Sequence, residues 1–184
     1  MTGSDVSFGM LTGAVEPAAI AELEALPIDA LWVGGHVASP NPSPEALVQL
    51  ARLAVLTTRV RIGTSVLLLP LYPPAIVAKQ VADLDRVTGG RVTLGVGVGG
   101  EYPQEFEACG VPIEERGGRT DEAIPLLRRL WSAEAVTHKG RYHSMADLSG
   151  IADASVDLVS SGQTFEHVSP PHRDQVLAEA RRVL

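Results

Sequence analysis

The stretch RIGTSVLLLPLYPPAIVAKQVADLDRVTGGRVTLGVGVGG, residues 61–100, predicts a strand, a helix and a second strand in succession. The first strand, 60–69, ends in a run that is apolar on both faces, which is typical of a parallel strand covered on both sides. Two prolines open the helix, which continues to about Val87 and ends at Gly89. The second strand, 91–98, runs into a glycine-rich turn. This order predicts two parallel strands joined by a crossover helix.

The same alternation extends on both sides of this stretch. The predicted elements are a strand at 6–11, a helix at 17–26, a strand at 30–33, a helix that begins at Ser43, and a fourth helix from about Asp121 to Trp131. Ser43 is expected to cap its helix, with Pro44 at the first helical position. Pro125 lies inside the fourth helix, where it is tolerated if the helix begins near Asp121 and otherwise kinks it.

These elements predict an α/β fold. Four βα units in succession suit half of a (β/α)8 barrel or a doubly wound sheet. A complete barrel takes about 250 residues, whereas this chain has 184, so we predict a partial barrel of the TIM type. After Trp131 the pattern changes. A hairpin at 136–142 is followed by small and polar residues at 146–154, a strand at 156–160 and a helix at 172–184, which together predict a short α/β tail.

Composition argues against several classes of function. The net charge is −7, from 15 Lys and Arg against 22 Asp and Glu, whereas proteins that bind nucleic acid are usually basic. Apolar runs such as 66–69 fall far short of the roughly 20 residues of a membrane helix. The N-terminus lacks the pattern of a signal peptide, so we expect no membrane association and a cytoplasmic location. Cys109 is the one cysteine, and His138 and His143 lack a third ligand at suitable spacing, so no metal site is predicted.

Chemistry is expected at the carboxyl ends of the predicted strands, where functional residues gather in parallel α/β folds. His36 follows the second strand and is a candidate acid, base or hydrogen-bond donor, or a structural histidine. The turn at 95–100 fits three interpretations: a nucleotide loop, the close approach of a planar cofactor, or tight packing. Because Pro103 follows so closely, no helix is expected there to receive a pyrophosphate.

At these positions the sequence resembles the luciferase-like family of flavin- and deazaflavin-dependent monooxygenases. The similar blocks are LWVGGHV (31–37), RIGTSVLLLP (61–70), AKQVADLDRVTGGRVTLGVGVGG (78–100) and EFEACGVPIEERGGRTDEAIPLLRRLW (105–131). They come in the order and spacing of that family. The resemblance extends over about 6–145, which is about three quarters of the chain.

The resemblance implies a (β/α)8 barrel that binds coenzyme F420, or alternatively FMN, at the carboxyl ends of its strands. It implies that His36 is catalytic and lies near the reactive ring, and that Ser65-Val66 forms a cis peptide bond behind that ring. The cofactor-binding residues that it implies are His36, Thr64, Ser65, Val66, Gly97, Gly99 and Gly100. The wording GTSVL at 63–67 favours F420 over FMN. The predicted partners are a small-molecule substrate and a second copy of the chain, as in a homodimer.

Two positions depart from the family pattern. Many members have an acidic residue where this chain has Gly35, and some have one where it has Gly100, with Glu101 following. Acid–base roles are therefore not carried over to these two positions.

Residues 147–184 do not continue the luciferase-like pattern and resemble the later part of a class I methyltransferase that uses S-adenosylmethionine. The similar segments are ASVDLV (154–159), TFEHV (164–168) and LAEARRVL (177–184). We therefore predict a luciferase-like barrel half at 1–145 and a methyltransferase-like fragment at 146–184.

The predicted function is that of a flavin- or deazaflavin-dependent oxidoreductase or monooxygenase. Such an enzyme transfers a hydride or activates oxygen on a small organic substrate. One alternative is a fragment of a methyltransferase that uses S-adenosylmethionine. Another is a truncated, non-catalytic remnant that folds only as an oligomer, because half a barrel leaves open sheet edges that favour pairing with another chain.

Overall fold

The structure is a computed structural model that describes residues 7–13, 16–41, 44–132, 134–151 and 156–161. The strands are β1 Gly9–Leu11, β2 Ala30–Val33, β3 Arg61–Thr64, β4 Leu67–Leu68, β5 Val92–Gly97, β6 Val136–Lys139, β7 Ser144–Leu148 and β8 Asp157–Ser161. The helices are α1 Pro17–Ala25, α2 Ala46–Leu56, α3 Pro74–Thr88, α4 Pro103–Ala108 and α5 Arg116–Leu130. None of the helices in these ranges is both long and apolar enough to cross a membrane.

Six of the described strands form one parallel sheet. From one side of the sheet to the other, the strands follow chain order: β1, β2, then β3 with β4, then β5, and then β8. β1 pairs with β2, and β2 pairs with β3. One edge of β5 is shared, because β3 pairs with its start and β4 with its end. The other edge pairs with β8 over five residues, Thr93–Gly97 against Asp157–Ser161.

Sequential strand order distinguishes the two predicted architectures. Right-handed crossovers that all move in one direction put every helix on the same side of the sheet, whereas a doubly wound sheet reverses its order. The helices do pack in chain order, α1 on α2, α2 on α3 and α3 on α5. The described residues therefore form an α/β fold with part of a TIM-type barrel, and the doubly wound alternative is wrong.

The hydrophobic core lies between the sheet and this helix layer. β2 alternates, so that Leu31 and Val33 are buried in the core and Trp32 points to the opposite, concave face. A Cβ on Gly9 or on Gly63 would overlap the Trp32 indole. The indole thus lies across the two neighbouring strands because both have glycine there. On the other side, the Trp131 ring N–H donates to the carbonyl of Ala78 at 3.0 Å and ties α5 to α3.

The predicted third strand is wrong in one respect, because it is broken in two. The chain leaves β3 after Thr64, passes through a cis peptide bond at Ser65–Val66, and pairs again as β4. Residues 69–71 then form a turn of 3-10 helix. The cis bond at Ser65–Val66 confirms the position that the family resemblance implied.

Two helix starts also differ from prediction. α2 begins at Ala46, two residues after Pro44, and Glu45 caps it by accepting a hydrogen bond from the Val48 N–H at 2.8 Å. The predicted cap, Ser43, lies outside the described residues. α5 begins at Arg116, so Pro125 lies well inside it.

The expectation that no helix begins near Pro103 is wrong. α4 starts at this residue, because proline suits the first helical position, where its missing N–H has no partner to lose. The buried Phe106 side chain anchors the helix, and Glu105 beside it is fully buried. This short helix delivers a carboxylate to the site described below.

The tail contributes a hairpin and a barrel strand. β6 and β7 are antiparallel, so the predicted hairpin is correct in place but its second strand extends to Leu148. β8 confirms the strand predicted at 156–160 and continues the main sheet. Asp157 on β8 accepts a hydrogen bond from Arg61 at 2.5 Å. The helix predicted at 172–184 lies outside the described residues, and the division between 145 and 146 stays a prediction.

Candidate functional site

His36 lies just beyond the carboxyl end of β2, and two glycines bring the chain there. A Cβ on Gly34 would lie 2.9 Å from the carbonyl oxygen of Ser65, and one on Gly35 would lie 2.8 Å from that of Pro44. Side chains at these two positions would therefore push the segment away from its neighbours. The imidazole of His36 emerges at the exposed end of the sheet with 30% of its side chain accessible.

The carboxylate of Glu105 contacts both the imidazole of His36 and the backbone that follows it. One carboxylate oxygen lies 3.1 Å from Nδ1 of the imidazole. The other accepts hydrogen bonds from the backbone N–H groups of Val37 at 3.0 Å and Ala38 at 3.5 Å. The Glu105 side chain is 0% exposed, and a buried carboxylate requires such partners. It therefore ties α4 to the segment that follows β2.

Glu105 was not among the site residues that the sequence predicted. Pro103 followed two residues later by an acidic residue is a start signal for a helix, so α4 was predictable. The partnership with His36 was not, because 69 residues separate the two. Spacing along the chain carries no information about a contact between separate βα units.

Two further side chains flank the imidazole. Oε2 of Glu101 lies 3.9 Å from Nε2 of His36, which is too far for a hydrogen bond but close enough to attract a protonated ring. The Tyr102 ring packs edge-on against the imidazole, with centroids 4.9 Å apart and planes at 78°. His36 is thus confined on several sides and open on the remainder.

The next strand end brings Ser65 and Val66 to the same edge of the sheet. The Ser65 N–H donates to the carbonyl of Val33 at 2.6 Å. Ser65 is exposed and Val66 half-buried. Thr64, one residue earlier, is buried, and its hydroxyl donates to the Gly95 carbonyl at 2.7 Å and accepts from the Gly95 N–H at 3.0 Å. The Thr64 side chain therefore joins two strands, and its role towards a cofactor stays a prediction.

The glycines of the turn after β5 are required for different reasons. A Cβ on Gly97 would lie 2.5 Å from the Val66 side chain, so tight packing explains that glycine. Gly99 and Gly100 have φ of 64° and 118°, where side chains are strained. These two residues are partly exposed beside Glu101. Of the three interpretations of this turn, packing therefore holds at Gly97, and contact with a planar cofactor stays a prediction at Gly99 and Gly100.

Arg116 adds a cationic group next to this turn. Its Nε would lie 3.1 Å from a Cβ placed on Gly100. One terminal nitrogen donates to the Ile113 carbonyl at 2.9 Å. The Nε–H is buried and has no hydrogen-bond acceptor among the described residues. A buried donor of this kind suits a ligand that brings its own oxygen atoms.

Two groups beneath the site stay protonated near neutral pH. Burial raises the pKa of the Tyr72 hydroxyl, and its hydrogen bond to Glu45 raises the pKa further. Burial, with Glu105 nearby, raises the pKa of the Cys109 thiol. A thiol whose pKa is raised is a poor nucleophile, so Cys109 has no sign of catalytic activation.

This site lies in a segment that matches a known family. The model of the luciferase-like monooxygenase family matches residues 11–158. The chain belongs to the luciferase-like monooxygenase family. The family resemblance and the partial barrel are thereby confirmed, and the match continues past residue 145 into the hairpin and β8.

Individual proteins are similar to this chain at moderate identity. An uncharacterised protein of Mycobacterium tuberculosis is 32% identical over 159 residues, covering 78% of this chain and 55% of its own. An F420-dependent glucose-6-phosphate dehydrogenase of Kineococcus radiotolerans is 36% identical over 126 residues, covering 65% of this chain and 37% of its own. The chain spans about half the length of the curated relatives it matches, or less.

One solved structure is also similar in fold. It is an F420-dependent secondary alcohol dehydrogenase in complex with an F420–acetone adduct. Its TM-score is 0.70 at 28% identity, and the alignment covers 85% of this chain and 52% of that one. The aligned part of this chain therefore corresponds to about half of that solved chain.

Proposed function

We propose that this chain is the cofactor-side half of an oxidoreductase that uses coenzyme F420 on a small organic substrate. The observation that carries the proposal is His36, held by Glu105 at the exposed carboxyl end of the sheet, 3.9 Å from Glu101 and next to the turn at 99–100. Strand ends of this kind are where parallel α/β enzymes do their chemistry. A bound deazaflavin would supply hydride transfer, and the protein would supply position and charge.

The residues at this edge fit such a group. Gly99 and Gly100 present backbone without side chains beside the open end, and Ser65 and Val66 follow the neighbouring strand β3 and are exposed and half-buried. The buried Nε–H of Arg116 is available to an oxygen atom of the ligand. His36, through Nε2, is then the group that takes or gives a proton at the substrate, while Glu105 keeps the ring in place.

F420 is preferred to FMN because of the relatives. The Kineococcus relative and the solved alcohol dehydrogenase are both described as F420-dependent, at 36% and 28% identity. FMN remains the alternative cofactor, with oxygen activation as the alternative reaction. The two cofactors have different headgroups and are separable by direct binding.

A second copy of the chain is part of the proposal. β1 has β2 as its neighbour in the described sheet, and Phe8 and Leu11 are 64% and 65% exposed. An apolar strand of this kind tends to pair with another strand. We therefore propose a homodimer, and the cytoplasmic location stays a prediction.

Thermal unfolding of the full chain with F420, FMN or S-adenosylmethionine tests the proposed function. A ligand that binds the native state raises Tm by mass action, and we expect F420 to do so. A rise with FMN alone would change the cofactor, and a rise with S-adenosylmethionine alone would favour the methyltransferase alternative. The absence of a cooperative transition would favour the non-catalytic remnant.

Arg116→Met and Arg128→Met form a matched pair for this experiment. Both residues lie on α5, and Arg128 is exposed away from the turn at 99–100. We expect Arg116→Met to weaken F420 binding about tenfold, the effect of one lost hydrogen bond to a charged group. Arg128→Met should bind like the parent chain, and equal weakening by both would contradict the role of Arg116.

His36→Ala tests the catalytic assignment. We expect turnover of the reduced cofactor to be abolished while the far-ultraviolet circular dichroism spectrum stays that of the parent chain, because His36 is partly exposed and outside the core. Unchanged turnover would remove His36 from the mechanism.

A further inference from the structure

We propose that Glu105 is a positioning residue that selects the tautomer of His36. It would keep the neutral imidazole protonated on Nδ1, so that Nε2 carries the lone pair at the exposed end of the sheet. The significance of this for a reaction rests on the function proposed above. The tautomer itself does not, since it follows from contacts within the chain.

The hydrogen-bond donors around Glu105 determine the direction of the bond to His36. A carboxylate has acceptor sites and no proton to give. Its Oε2 already accepts from the N–H groups of Val37 and Ala38, and its Oε1 lies 3.1 Å from Nδ1 of His36. The contact is therefore an Nδ1–H donating to Oε1, and a ring with its proton on Nε2 would place two lone pairs against each other.

The opposite edge of the ring is free to accept a proton. A neutral imidazole has one N–H, so a proton on Nδ1 leaves Nε2 as an acceptor. Glu101 lies 3.9 Å from Nε2 and is 47% exposed. It is too distant to hydrogen-bond with the neutral ring, but its charge stabilises the imidazolium that forms on proton uptake. One glutamate thus sets the tautomer and the other favours the protonated product.

The position of Glu105 is fixed by its surroundings. It lies on α4 beside Phe106, and both side chains are almost completely buried. The Tyr102 ring, packed edge-on against His36, restricts the rotation that would exchange the two ring nitrogens. Burial of the Glu105 carboxylate strengthens this hydrogen bond, because water does not compete for its oxygen atoms.

Nitrogen NMR of the ligand-free full chain tests the proposal. The chain has five histidines, and loss of one set of signals in His36→Asn assigns the ring. At about pH 8, where an ordinary histidine is neutral, long-range proton–nitrogen correlations distinguish the tautomers. We expect the proton of His36 on Nδ1 in the parent chain. Finding it on Nε2 would overturn the proposal, whatever any variant does.

Glu105→Gln should reverse the tautomer. The Gln oxygen is expected to keep accepting from the Val37 and Ala38 N–H groups, which turns the NH2 towards Nδ1 of His36. Nδ1 then becomes an acceptor and the ring proton moves to Nε2. A purely structural role for Glu105 would not move this signal. Retention of the proton on Nδ1 in a folded Glu105→Gln chain would contradict the proposal.

Glu107→Gln is the matched control. Glu107 lies on the same short helix with its side chain exposed, so the tautomer of His36 should stay that of the parent chain. Titration of the same samples with F420 separates the two proposals. Reversal of the tautomer without cofactor binding would support the role of Glu105 and refute the proposed function, whereas binding without the expected tautomer would do the opposite.

Discussion

Thr64 shows how one buried hydroxyl replaces a backbone contact where a strand ends. β3 pairs with β5 at Ile62 and Gly63, after which the chain turns away towards Ser65. The Thr64 hydroxyl then both donates to and accepts from the backbone of Gly95. It joins the two strands directly below the candidate site, so its contribution is to hold Ser65 and Val66 in place.

Thr64→Val removes this hydroxyl with little change of shape. The buried N–H and carbonyl of Gly95 lose a partner, which we expect to lower the free energy of unfolding by about 1–3 kcal/mol. Urea denaturation monitored by circular dichroism measures the change. Thr58→Val is the control, since Thr58 is exposed. An equal effect of both variants would mean that the hydroxyl contact is not a stabilising one.

Among the secondary-structure elements, the β6–β7 hairpin is attached to the helix layer by hydrogen bonds to Glu122 on α5. Its carboxylate accepts hydrogen bonds from His138 at 2.9 Å and from the backbone N–H groups of Arg141, Tyr142 and His143. Burial by itself would raise the pKa of Glu122. The hydrogen bond from His138 and those from the three N–H groups outweigh burial and lower the pKa to about 2.

Glu122 should therefore make the stability depend on pH on the acid side. Its pKa is lower in the folded chain than the ordinary value of 4.5, so its contribution is complete above that value and is lost as pH falls from 4.5 towards 2. We expect Glu122→Gln to lower the free energy of unfolding at pH 7 and to have a smaller effect at pH 3. Asp121→Asn, at an exposed neighbouring position, should show no such pH-dependent difference in urea denaturation.

For the whole molecule, the informative element is β8. The segment that resembles a methyltransferase strand pairs with β5 over five residues and lies where the next barrel strand is expected. Leu158 packs against the core, and Asp157 pairs with Arg61. Both charged side chains are largely exposed, so the ion pair itself contributes little. The strand ladder and the apolar contact are what attach this segment to the sheet.

Two shortened chains test this attachment. A chain that ends after Ser161 keeps β8, and one that ends after Gly150 lacks it. Loss of the ladder and of the Leu158 contact should cost about 2 kcal/mol or more, which corresponds to a Tm roughly 4–8 °C lower. Equal Tm values for the two chains would show that β8 is not part of the cooperative unit.

Local patterns predicted much of this architecture. β2 and α3 lie where the apolar runs, prolines and glycines indicated, because these signals act within a few residues. The apolar pattern alone did not show the break between β3 and β4, because Leu67 and Leu68 continue the apolar run while the backbone does not continue the strand. Only the family resemblance indicated this position, through the cis bond at Ser65–Val66.

Contacts between distant units were beyond the sequence patterns. His36 was found as a residue after a strand, but its partner Glu105 belongs to a helix in another βα unit. The side chains of β7 do not alternate regularly between buried and exposed, since β7 pairs with β6 outside the main sheet. The cofactor-binding roles of Thr64, Ser65, Val66, Gly97, Gly99 and Gly100 stay predictions that only binding experiments test.

The indole that lies across Gly9 and Gly63 also gives the molecule a built-in optical probe. The chain has two tryptophans. Trp32 is on the concave face of the sheet and partly open to water, whereas Trp131 is buried in the helix layer with its N–H bonded to Ala78. The two indoles should differ in emission wavelength and in their accessibility to an aqueous quencher. With Trp131→Phe, the remaining emission reports separately on whether anything, a ligand or another chain, covers the inner face.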